Sequence, residues 1–203
     1  MIEFTGERII PDQLKPTNML LLEHIARYQF SIRHIGGSVL DLACGAGFGS
    51  LILAKTRKKR FEKIVAVDND AATIAYARGR YHHPLIEYKC ENAVDPSLLE
   101  KIGTFDSIVS FETLEHIEEE QQFLDNLYQL LKPGGTLIIS TPFGKGRGVE
   151  CGSPFHVHQL TVNEFHALFP QYMEAKFYVQ DGVLIEPHNE EFSYPIGIAV
   201  CKK

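Results

Sequence analysis

The chain has no run of about 18 or more apolar residues, the length a membrane-spanning helix requires. Its first residues, MIEFTGERIIPD, carry charges where a secretion signal would carry an apolar core, so a soluble, cytoplasmic protein is expected. Cysteine is sparse. Cys44, Cys90, Cys151 and Cys201 lie far apart without a CxxC pair, which argues against a zinc knuckle or a disulfide framework and leaves buried or free thiols. Positive charge is also in short supply. With 20 Lys and Arg against 26 Asp and Glu, the formal net charge is −6, which disfavours a nucleic-acid partner held by many phosphate contacts. The one basic cluster, KTRKKRFEK at residues 55–63, falls where a helix should end, and cations there complement the helix dipole. No repeat, low-complexity run or linker interrupts the 203 residues, and 44% hydrophobic content suffices for the core of one domain.

Short apolar runs alternate with segments of helical spacing. SVLDLA, KIVAVD, LIEYKC, FDSIVSF and GTLIIST read as strands. TNMLLLEHIARYQF reads as a helix before the first of them. In TLEHIEEEQQFLDNLYQLLKPGG, the residues Leu114, Ile117, Leu124, Leu127 and Leu131 make one apolar stripe, which Pro133, Gly134 and Gly135 stop. Thr161-Val162-Asn163-Glu164 has the spacing of a capping box and predicts a helix over EFHALF. Such alternation predicts a doubly wound α/β fold with parallel strands and right-handed crossovers. KFYVQDGVLIEP and YPIGIAVCKK then follow as two strands with no helix between them, expected to pair antiparallel at the end of the sheet.

In an open α/β sheet the first strand-to-helix turn lines the ligand site, and here that turn holds Gly45, Gly47 and Gly49. A diphosphate at this helix N-terminus would be held by backbone N–H groups, and a cation would assist. Instead, Asp41 closes the strand, no Lys or Arg occurs between Ser38 and Lys55, and the spacing is GxGxG rather than GxGxxG. A ligand with positive charge and no phosphate suits the turn better, and S-adenosylmethionine, with its ammonium and sulfonium, is such a ligand. Asp68 ends the next strand, where a carboxylate accepts ribose hydroxyls or caps the following helix. Asn69 and Asp70 are available for the cap, which leaves Asp68 for the ribose.

These stretches resemble the class I S-adenosylmethionine-dependent methyltransferases. VLDLACGAGFGS is similar to their first motif, VAVDND to the acidic second-strand motif, FDSIVSFETLEHI to the fourth-strand motif, and LLKPGGTLIISTP to the passage into the fifth strand. FTGERIIP, EHIARYQF and SPFHVHQLT resemble flanking segments of a small bacterial subgroup. The resemblance implies a Rossmann-like methyltransferase fold with a mostly parallel seven-stranded sheet and a C-terminal antiparallel hairpin. It divides residues 1–203 into an N-terminal helical cap or lid (1–37), a cofactor core (38–142) and a substrate-side loop, helix and hairpin (143–203). It further implies that Asp41, Gly45 and Gly47 hold the methionine part of S-adenosylmethionine, Asp68 the ribose, with Asn69 beside it, and Asn92 and Ala93 the adenine. Phe111 and Glu112 would lie beneath the methionine, with His116 facing the same cleft.

Methyl transfer is an in-line displacement in which the protein chiefly aligns and desolvates. For a hydroxyl acceptor a general base helps, and His116, His156 and His158 are the candidates, since imidazole titrates near neutral pH. A metal is not expected, because no third ligand with suggestive spacing accompanies His156 and His158. Gly144, Gly146, Gly148 and Gly152 suggest a mobile lid carrying Lys145 and Arg147. FTGERIIP is expected to close from the opposite side, with Arg27 and Tyr28 behind it. Little chain remains after residue 142 for a separate recognition domain, so a small-molecule acceptor is expected; the resemblance to the bacterial subgroup implies a sugar or secondary metabolite. A nicotinamide-dependent oxidoreductase and a non-catalytic cofactor-binding module are the rival readings.

Overall fold

The computed structural model describes residues 8–56, 60–189 and 191–203. The expected lid residues Phe4 to Glu7 and the centre of the basic cluster, residues 57–59, lie outside the described residues.

Asn18 accepts the Leu21 N–H and starts helix α1 (Met19–Ser31), which leads into strand β1 (Gly37–Leu42). The alternation then runs α2 (Phe48–Thr56), β2 (Phe61–Asp68), α3 (Ala71–Arg80), β3 (Ile86–Cys90), α4 (Leu98–Ile102), β4 (Phe105–Phe111), α5 (Glu120–Leu130) and β5 (Leu131–Pro142). After α6 (Val162–His166) come β6 (Glu174–Asp181), β7 (Leu184–Pro187) and β8 (Ile196–Lys202). The described strands form one sheet in the order β3-β2-β1-β4-β5-β8-β6-β7, in which β1 to β5 are parallel and β8 is antiparallel to both neighbours. Strand order reverses between β1 and β4, and the carboxyl ends of that pair open the crevice where ligands of such sheets sit.

The doubly wound fold is the expected one, with eight strands in place of seven. Gly182 takes φ +56° and makes a two-residue turn with Val183, which folds LIEP back on KFYVQD. The stretch expected as one strand is therefore a hairpin of its own, and the last strand slots between it and β5. The long helix expected from Thr113 is also shorter. Glu112 adopts φ +50°, Leu114–His116 form a single 3₁₀ turn, and α5 starts at Glu120. That break turns Glu115 and His116 back toward the sheet edge. The capping box at Thr161 and Glu164 forms as expected.

Strand alternation divides the core between the two sheet faces. Leu40 and Leu42 pack with Val65, Val67, Ile108 and the α5 residues Phe123, Leu127 and Leu130. Val39 packs on the other face with Tyr28, Ile35, Leu53 and Val109. Each such fully buried side chain contributes about 1.5–3 kcal/mol. Asp41 shares the parity of Val39, and this decides where its carboxylate goes.

Candidate active site

A cavity of about 750 Å³ opens at the carboxyl ends of β1, β2 and β4, closed on one side by Arg8, Ile9 and the inner face of α1. Two non-glycine residues with positive φ border it, Ala43 at +62° and Glu112 at +50°, one after each strand of the switch point. Strained backbone of this kind persists where the surrounding structure holds it.

Asp68 is placed to receive a diol. Its Oδ2 accepts the Gly45 N–H at 2.9 Å and its Oδ1 the Asp70 N–H at 3.1 Å. The cap of α3 is made by Asp70, which accepts from Ala72 and Thr73. Asp68 thus borders the cavity with one lone pair left on each oxygen, the number two vicinal hydroxyls need. Gly45 borders the cavity too, and Asn69 sits next to Asp68 at its rim.

Asp41 stands behind the cavity wall. Parity sends it into the layer beneath α1 and α2, where it is 1% exposed and does not border the cavity. Its carboxylate accepts from the Ser50 hydroxyl at 2.6 Å and from the Tyr28 hydroxyl, which lies 3.0 and 3.2 Å from the two oxygens. Burial pushes this carboxyl up to about 6, against the pull of those two donors. Tyr28, not Asp41, faces the ligand space. Its ring packs edge-on to Phe111 at 5.0 Å. Gly49 makes this possible, because a Cβ there would overlap the Tyr28 ring. Gly47 also stands outside the cavity wall. It takes φ +85° and faces α3 and β3, where a Cβ would stand 2.8 Å from Ala77 Cβ and 2.9 Å from Tyr88 Cε1.

On the side expected for adenine, Asn92 and Ala93 border the cavity. The Asn92 side-chain oxygen accepts the Val94 N–H at 3.1 Å and so shapes the turn. Asn126 of α5, unmarked in the sequence because its signal is that of any polar helix residue, is 3% exposed and donates to the carbonyls of Ala93 and Asp95 at 2.8 and 2.9 Å. It holds the 92–95 turn in place.

Phe111, Glu112, Glu115, His116 and His156 line the remaining wall. Ser140 donates to Glu112 Oε1 at 2.7 Å, and Thr141 donates to Glu115 Oε2 at 3.1 Å. Burial, and then the charge of Glu112, push the Glu115 carboxyl well above the usual carboxylate range. His24, another residue without a sequence signal, also borders the cavity. Burial and the neighbouring Arg27 hold it down to about 4, so it is neutral at physiological pH.

His158 stands apart from the other two candidate histidines. It lies outside the cavity wall, nearly buried, with Nε2 3.3 Å from Glu120 Oε2. The Arg147 guanidinium is 2.7 Å from Glu120 and 3.7 Å from Glu164, so this loop cation is engaged by the chain's own acids. Among the described residues of the wall, four are acidic, Asp68, Glu91, Glu112 and Glu115, whereas Arg8, the one Arg or Lys, stands 3.0 Å from Asp70. Such a wall favours a cationic ligand over a diphosphate. The diol acceptor, the acidic wall and the space beside Phe111 fit S-adenosylmethionine, which would supply an activated methyl group there, with the chain's residues holding and orienting it.

Residues 40–139 match the family described as a methyltransferase domain. A probable S-adenosylmethionine-dependent methyltransferase of Mycolicibacterium smegmatis is 31% identical over 185 residues, covering 89% of this chain and 67% of the relative. A ubiquinone biosynthesis O-methyltransferase of Nitrobacter winogradskyi is 33% identical over 145 residues, covering 68% of this chain and 53% of the relative. The chain thus spans between about half and two thirds of the length of these two relatives. Among solved structures, the N-methyltransferase NodS of Bradyrhizobium japonicum in complex with S-adenosylhomocysteine superposes with a TM-score of 0.67 at 18% identity, covering 98% of this chain and 95% of that one, a likeness of fold. No helix among the described residues is long and apolar enough to cross a membrane. By its identity to the mycobacterial relative, the chain belongs to the S-adenosylmethionine-dependent methyltransferase family.

Proposed function

We propose that the chain transfers the methyl group of S-adenosylmethionine to a small-molecule acceptor carrying a hydroxyl, of the sugar or secondary-metabolite class. The observation that carries this reading is the wall beyond Phe111, where His116, His156 and Glu115 border the same cavity as the diol acceptor Asp68. An imidazole there is placed to take the proton that a hydroxyl loses as its oxygen attacks the methyl carbon. Ubiquinone O-methylation in one relative's name supports an oxygen acceptor. The four acids of the wall and the net charge of −6 oppose a polyanionic acceptor such as a nucleic acid. Residues 1–203 are read as one domain, its first 37 residues as cap, 38–142 as cofactor core and 143–203 as the acceptor side.

Incubation with methyl-labelled S-adenosylmethionine and separate panels of sugars, phenols, RNA and protein tests the reading. Label in a sugar or phenol, reduced at least tenfold in His116→Ala or His156→Ala, is expected. Label confined to RNA or protein contradicts it, and cofactor binding without turnover in any panel favours a non-catalytic module.

A further inference from the structure

Three side chains of types that ligate metals converge in the cavity wall. One ligand atom each from Glu115, His116 and His156 lies within 4.8 Å of the others. Glu115 and His116 arrive together because the 3₁₀ turn after β4 interrupts the expected helix. His156 comes from the loop that follows β5, and the Val157 N–H ties this loop to the Glu115 carbonyl at 2.8 Å.

Every one of the three is oriented by an outer partner. Thr141 donates to Glu115 Oε2, which leaves Oε1 directed toward His116 Nε2, 3.9 Å away. His116 Nδ1 lies 2.9 Å from the Phe155 carbonyl, and a carbonyl only accepts. The His116 proton therefore sits on Nδ1 and the lone pair on Nε2, facing Glu115. His156 Nδ1 is 3.0 Å from the Gln159 side-chain amide, which offers either an oxygen or an NH₂ according to its turn. Such outer partners, a carbonyl or an amide behind each imidazole and a hydroxyl behind the carboxylate, are what metal sites use to fix ligand tautomer and direction.

We propose that Glu115, His116 and His156 bind a single divalent cation of the kind that accepts imidazole and carboxylate together, such as Mn²⁺, Fe²⁺, Co²⁺ or Zn²⁺. Two imidazoles and one carboxylate exclude a Ca²⁺-type all-oxygen cage. Three ligands from the described residues would leave coordination positions for others, unlike the closed four-ligand sets of structural zinc. The ion's Lewis acidity would then act on an oxygen donor of whatever small molecule occupies that wall. With their lone pairs on the ion, His116 and His156 would be its ligands in place of the general-base role open to them without it. The site stands on this geometry alone, independently of the cofactor.

The untagged full chain, stripped with chelator, is titrated with Co²⁺ while its visible d–d absorption is followed, and Mn²⁺ and Zn²⁺ binding is measured by equilibrium dialysis. One equivalent is expected. His156→Ala and His116→Ala should each weaken it by at least about tenfold, and Thr141→Val, which removes only an outer partner, by a factor on the order of ten. Melting curves identify variants that stay folded; His156 and His116 are partly exposed, so their truncation leaves the core intact. Absence of binding in the wild type, or binding undiminished in a folded His116→Ala/His156→Ala double variant, overturns the proposal. Binding of S-adenosylhomocysteine, measured on the same preparation without metal, is a separate readout, so its failure strikes the cofactor reading and not this one.

Discussion

The Tyr28 hydroxyl sits astride the Asp41 carboxylate, 3.0 Å from one oxygen and 3.2 Å from the other, and so joins helix α1 to the end of strand β1 behind the cofactor turn. Replacing Tyr28 by Phe leaves a buried carboxyl with Ser50 as its one remaining side-chain donor among the described contacts. Denaturant unfolding should show a loss of about 1–3 kcal/mol. No change in midpoint would mean that the pair contributes nothing to stability.

Asp41 also sets a pH dependence. Its carboxyl titrates near 6 in the folded protein against 3.8 for the ordinary group, because burial disfavours the charge. Between those values the folded chain holds a proton that the unfolded chain has released. The contribution of Asp41 to stability is therefore complete below about pH 4 and lost as pH rises through about 6. In Asp41→Asn the fall in stability across this window should be smaller by an amount on the order of 2 kcal/mol. Parallel stability curves for the two proteins would place the titration elsewhere.

Gly49→Ala puts a Cβ into the Tyr28 ring. A cost above about 2 kcal/mol is expected, as for other overpacked sites. Most of it should vanish in a Tyr28→Ala background, since the two changes share one contact. Full additivity of the two in melting experiments would contradict the packing described here.

Asn126→Ala removes both donors that hold the Ala93 and Asp95 carbonyls. Calorimetry should show affinity for S-adenosylhomocysteine falling by about tenfold, consistent with one or two lost positioning hydrogen bonds. His158→Gln, outside the cavity wall, should leave that affinity within about twofold. The reverse ranking would move the adenine side away from the 92–95 turn.

Much of this was legible in the sequence. The alternation of apolar runs identifies β1 to β5 and their crossovers, and the acid at the end of β2 together with Asp70 as cap is a local pattern that survives folding unchanged. The direction of Asp41 was not read from the glycine motif, although strand parity with Val39 contains it. Tyr28 is expected behind the N-terminal segment, but its bond to Asp41 is not; Asn126 and His24 reach the site from helices far from the motifs they serve, and nothing local marks them. The meeting of His156 with Glu115 depends on a 3₁₀ turn that an amphipathic stripe conceals and on a loop some 40 residues later. His158, two residues on, faces the other way because Glu120 engages it.

The most direct test is calorimetric titration of one preparation with S-adenosylhomocysteine and with NADH, followed by the same titration of Asp68→Ala. Saturable binding of the thioether, weakened at least tenfold when Asp68 is removed, and no binding of the dinucleotide are predicted from the acidic wall and the diol acceptor. Tight NADH binding without a response to S-adenosylhomocysteine would contradict them.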